Sequence, residues 1–301
     1  MNAYDKTLQK LDRVQREHFT LSFLYAVVKK YGEDRAGTQA ALLTYYGFLS
    51  LFPLLLVLTT VLGTITNSHS ELQRTVIDSI TSYFPGLGTQ LSQHVHTLHR
   101  AGLALIVGLL FTFYGTRGVA DAFQNGVNDI WSVPRDHRTG FPLSIVKNLT
   151  LIIVGGIGFS AASIISTYAA AFANQQLEFK LLSGVISVFI LFWVFLLLIK
   201  LSLPGHIRLK QIGYGAATAA ILLVVVQTCG GLILTHVLKN LDALYSSFSI
   251  ALGLLFWIYL QAQVMYFSVE VATVEAQKLW PRSLSGKNCT VADERVKVQA
   301  L

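Results

Sequence analysis

The 301-residue chain is 53% hydrophobic and only 13% charged, roughly half the ~25% charged fraction of an ordinary soluble domain. This balance argues against a water-soluble enzyme and for a single membrane bundle. The net charge of +7 is not interleaved with stacking aromatics, so no nucleic-acid partner is expected.

Residues 1–35 mix acids and bases around one apolar stripe (Leu8, Leu11, Val14, then Phe19 to Val28). The segment is too short and too charged to span, so it is expected to lie at the cytoplasmic interface as an amphipathic helix. No small-residue cleavage site follows it, and no cleaved leader is expected.

Six apolar runs then follow between charged residues, at about 38–66, 102–131, 145–171, 181–203, 212–237 and 247–275. Each meets the roughly 20 residues that a span requires, and backbone satisfaction in lipid makes each a helix. The expected fold is an all-α integral membrane protein with six transmembrane helices in one domain, residues 36–280. Of the 23 Lys and Arg, 18 fall in segments that are inside if the N-terminus is inside. Four fall outside and Arg117 lies within a span. Both termini are therefore expected in the cytoplasm, with membrane lipids as partners.

Within the first span, Pro53 removes a backbone donor and is expected to kink the helix. Residues 67–100 form the one long outer connection, where two apolar periodicities around Phe84-Pro85-Gly86 predict short amphipathic helices. Cys229 and Cys289 are too few for a disulfide framework and read as unrelated thiols. The tail, 281–301, is polar and is expected to be disordered.

Small residues mark where helices touch. Gly118, Ala122 and Gly126 recur every fourth position, as do Gly158 and Ala162 in the next span, which permits close backbone approach. The same faces leave a homo-oligomer open.

Four stretches carry a family resemblance. They are Ala36 to Gly63 (AGTQAALLTYYGFLSLFPLLLVLTTVLG), Tyr114 to Trp131 (YGTRGVADAFQNGVNDIW), and Leu203-Pro204 followed by Tyr245 to Glu270. In combination they resemble the BrkB/YihY family of bacterial inner-membrane proteins across roughly residues 30–280. The resemblance implies a six-helix inner-membrane protein with both termini inside, linked to envelope integrity and, in some bacteria, to resistance to host killing. It supplies no substrate.

That family long carried a ribonuclease name, which would need converging metal ligands. The one candidate, His94, His96 and His99, has Leu98 where such a hydrolase wants Asp, and it falls on the expected outer face. No metal, no cofactor and no enzymatic activity is expected. No Gly-rich phosphate loop with Lys-Ser/Thr appears either, so this chain encodes no ATP-driven step.

The ionisable groups inside the spans are more informative. Arg117 lies roughly 22 Å along the second span and Asp121 about 28 Å, one helical turn apart on one face. A central charge costs at least ~2.5 kcal/mol on insertion scales, so both should avoid lipid. Gln263 and Glu270 share a face of the last span. A polar cavity between the second and last spans, lined by Arg117, Asp121, Asn125, Gln263 and Glu270 and open to the cytoplasm, is one reading. A structural ion-pair network is the other. The first makes the protein a transporter or flippase for a lipid-linked or small polar or anionic substrate. The second makes it a non-transporting scaffold of envelope integrity.

Overall fold

The computed structural model describes residues 12–65, 102–140, 142–172, 177–205, 207–245, 249–284 and 289–299. Among these, helices account for the regular structure and no strand occurs. In chain order they are α1 (Phe19–Glu33), α2 (Ala36–Ile65), α3 (Gly102–Ile130), α4 (Leu143–Phe172), α5 (Leu177–Ser202), α6 (Leu209–Tyr245), α7 (Ser249–Gln277) and α8 (Val291–Gln299). A 3₁₀ turn, Arg135–His137, lies between α3 and α4.

Four stretches are long and apolar enough to cross a membrane: Leu143–Ala162, Gly184–Ser202, Leu209–Gly230 and Ala251–Gln277. Their outward faces are built for lipid. On α5, Leu182, Val185, Phe189, Trp193 and Leu197 recur at helical spacing and are exposed, as are Val146, Leu149, Ile153 and Ile157 on α4. Contiguous apolar surface of this extent is rare on water-soluble monomers. The helices α2 and α3, with 30 and 29 residues, match the other long helices in length. Residues 67–100 lie outside the described residues, and so does the side chain of Pro53, through which α2 runs as helix.

Packing follows chain order: α2 lies against α3, α4 against α5, α5 against α6 and α6 against α7, while α7 returns to α2. The helix α3 is central to this arrangement, touching α2, α4, α5 and α7. The largest core cluster gathers residues from the C-terminal halves of α3, α5 and α7 with residues from the N-terminal halves of α2 and α6, including Ile130, Ile199, Ile212, Tyr266 and Ala272. That is the end of the bundle where the connections carry most charge.

Glycines set the helix spacing. Gly118 abuts the Tyr46 ring of α2, Gly126 the Tyr266 ring of α7, and Gly158 the side chain of Val194 on α5. At Gly215 the neighbour is backbone: an added Cβ would stand 2.5 Å from the Ser268 carbonyl oxygen. A side chain can rotate away, but a helix carbonyl cannot. Gly215→Ala should therefore force α6 from α7 and lower stability by about 1–3 kcal/mol. Gly213, two residues earlier with nothing within 4 Å of its would-be Cβ, should gain about 0.5–1 kcal/mol as Ala. Paired melting curves in detergent test the contrast; equal shifts would contradict it.

The tail departs from expectation. Residues 291–299 form α8, started by a reciprocal cap in which Thr290 N donates to Asp293 Oδ2 (3.0 Å) and Asp293 N donates to Thr290 Oγ1 (3.2 Å). Asp293 and Arg282 are both buried. A polar segment can order when its charges meet partners, and here α1 provides them. Cys229 and Cys289 are exposed and unbridged.

Candidate functional site

The charged face of α3 builds the first locus. Arg117, Asp121, Asn125 and Asp129 are spaced four apart and so form one ridge about 18 Å long. Arg117 Nε lies 3.6 Å from Asp121 Oδ2, with 43% and 41% of the two side chains exposed. Asn148, buried on α4, donates from Nδ2 to the other oxygen of Asp121. Asn125 is exposed. Asp129 ends the ridge: its Oδ1 lies 2.7 Å from Arg138 Nη2, and its Oδ2 accepts from Gln39 Nε2 of α2 at 2.9 Å. Gly118, Ala122 and Gly126 occupy the neighbouring face of α3. There Tyr266 donates its hydroxyl to the Ala122 carbonyl at 3.0 Å.

Gln263 and Glu270 belong to a second locus. The hydroxyl of Tyr31 on α1 donates to Gln263 Oε1. Glu270 is 0% exposed, and its Oε2 is 3.5 Å from Nζ of Lys30, itself 1% exposed. Lys30 also donates to Asp34 and, at 2.8 Å, to the Ile130 carbonyl at the end of α3. Neither Glu270 oxygen accepts a well-formed hydrogen bond, so the pair is held by charge more than by hydrogen-bond geometry. Burial pushes the Asp34 carboxyl up against the pull of Lys30. Burial first, then Tyr259 and Glu270, pushes the Tyr31 hydroxyl up to about 12.

The candidates named from sequence thus divide. Arg117, Asp121 and Asn125 lie on one ridge, flanked by α2 and α4, while Gln263 and Glu270 face residues of α1. Lys30 is the residue that sequence reasoning misses. Its signal is its place on the buried stripe Ser22, Ala26, Lys30, where a lysine needs a buried acid.

A third locus joins the tail to α1. Arg282, 3% exposed, donates from Nη2 to both oxygens of Glu33 at 2.9 Å and from Nε to Asp293 Oδ1 at 2.6 Å. Lys29 Nζ reaches the same Asp293 oxygen at 3.0 Å and the Ser283 carbonyl at 2.8 Å. Asp12 accepts from Leu284 N at 2.9 Å. Burial works against the Asp293 charge, but hydrogen bonds from Thr290, Arg282 and Ser283 outweigh it and hold the carboxyl well below the usual range. The His94, His96 and His99 set lies outside the described residues.

Long helices with apolar outward stripes, a charged end and a buried ion network define a helical membrane protein. Its sequence places it further: the chain belongs to the family described as virulence factor BrkB, whose pattern matches residues 27–288. It is 24% identical over 283 residues to a UPF0761 membrane protein of Psychrobacter sp., covering 89% of this chain and 50% of that protein. A UPF0761 membrane protein of Chlorobium phaeobacteroides is 25% identical over 281 residues, covering 89% and 60%. The inner membrane protein YhjD of Escherichia coli is 25% identical over 302 residues, covering 91% and 86%. The chain spans about half the length of the Psychrobacter relative and less than two-thirds of the Chlorobium one. No solved structure matches.

Proposed function

We propose that the chain is an inner-membrane protein of six spans, α2 to α7, with both termini in the cytoplasm. Its function in this reading is to move a small polar or anionic substrate, or a lipid-linked one, along the charged ridge of α3. The observation that carries this reading is the exposure of Arg117 and Asp121, about two-fifths of each side chain, roughly midway along a membrane helix. A charge facing lipid at that depth costs at least ~2.5 kcal/mol, so the ridge needs a polar space beside it. Asn148, Gln39 and Arg138 continue that polarity toward the charged end of the bundle. The helix α1, with Leu21, Leu24 and Val28 exposed, rests on the inner leaflet.

The protein reconstituted in liposomes should take up small anions or scramble lipid headgroups above the rate of empty vesicles. Arg117→Ala should cut that rate at least about tenfold, equivalent to ~1.4 kcal/mol. If Arg117→Ala and Glu270→Gln both keep full function at normal membrane abundance, the charged residues are not the working site. The second reading, an envelope scaffold, draws on the buried Lys30–Glu270 contact, which holds helices together without needing a substrate. Envelope integrity restored by a protein that moves nothing in liposomes would favour it.

A further inference from the structure

We propose that the cavity where the tail meets α1 is a binding site for a phosphate-bearing anion, separate from the α3 ridge. The cavity measures about 290 Å³ and its walls include Lys29, Glu33, Asp34, Arg282, Asp293 and Lys297. Three acids and three bases give no net preference, so the deciding question is which groups are already engaged.

Each acid is already engaged by a base. Asp293 receives Arg282 Nε, Lys29 Nζ and the backbone N–H groups of Ser283 and Thr290. Glu33 receives Arg282 Nη2 on both oxygens, and Asp34 receives Lys30. Donors are left over. Arg282 Nη1 is buried without a hydrogen-bond partner, in a side chain fixed by its other two nitrogens. Lys297 Nζ sits 3.6 Å from the Cys289 sulfur, a weak acceptor.

An unmet buried N–H is costly, and a ligand rich in acceptors removes that cost. A phosphoryl group has several acceptor oxygens and the charge that guanidinium and ammonium groups bind best. A cation would have to compete with the bases that already hold each acid. The phosphoryl group has two sources, free phosphate or the headgroup of an anionic lipid. The exposed apolar face of α1 next to the cavity makes the second accessible.

The exposed thiol of Cys289, which also lines the cavity, reports occupancy. In full-length Cys229→Ser protein, maleimide modification of Cys289 is timed in detergent with inorganic phosphate or with chloride at equal ionic strength. A second arm uses nanodiscs of zwitterionic phosphatidylcholine with or without anionic phosphatidylglycerol, in buffer without inorganic phosphate. Phosphate at twice its dissociation constant should slow the reaction about threefold while chloride does not, or phosphatidylglycerol should slow it likewise. Protection by phosphate alone identifies the free ion, and protection by phosphatidylglycerol alone identifies the headgroup. Lys297 is exposed, so Lys297→Ala keeps the fold and should remove most of the protection. Equal rates in all four conditions, or protection undiminished in Lys297→Ala, would overturn the site.

Discussion

Lys30→Met should be among the most damaging single substitutions in the bundle, lowering stability by about 3–5 kcal/mol. The change leaves Glu270, at 0% exposure, without its ammonium, and leaves the Ile130 carbonyl without the donor that ties α1 to the end of α3. An uncompensated buried carboxylate is the costly part. Replacing the pair together, as Lys30→Met with Glu270→Leu, removes the charge with its partner and should recover much of the loss, because apolar substitutes for a buried ion pair are often neutral. The two single variants and the double variant, melted in one detergent, form a cycle. A double variant as unstable as the sum of the singles would show that Lys30 and Glu270 do not act as a pair.

Arg282→Ala should release the tail. It removes the bidentate contact to Glu33 and the bond to Asp293, in a site where Arg282 and Asp293 are both buried. A loss on the order of 3 kcal/mol is expected, confined to the α1–tail junction and leaving α2 to α7 in place. Acid should produce the same release. The unfolded Asp293 carboxyl titrates near ~3.9 and the folded one below the usual range. Its contribution is therefore complete above about pH 4 and is lost as the pH falls through the folded value. A spin label on Cys289, with Cys229 replaced by Ser, should gain mobility progressively as the pH falls from about 4 toward the folded Asp293 value in the wild type, and should be mobile already at pH 7 in Arg282→Ala. A label equally immobile in all these conditions would mean that α8 is held by something other than these charges.

Much of the fold is legible in the sequence, and what is not has a common cause. Charges such as Lys147, Lys180 and Lys200 bracket the apolar runs, so length alone locates the long helices. The spacing of Arg117, Asp121 and Asn125 places them on one ridge because helix periodicity is local. The elements facing that ridge depend on the order in which helices pack, which no local spacing encodes. Spacing therefore assigns Glu270 to the face of α3, although its partner, Lys30, comes from α1. The order of the tail is hidden for a related reason. Its four-residue cap, Thr290 to Asp293, is a local signal, but the acid and base that hold α8 down lie some 250 positions earlier.

The clasp between α1 and the tail also orders the protein's biogenesis. Glu33 leaves the ribosome before any of α2 to α7 and Arg282 after all of them. The helices α2 to α7 are therefore all synthesised while Glu33 still waits for its guanidinium. A chain cut short before residue 282 carries α1 to α7 but leaves Glu33 without its guanidinium partner and the clasp open.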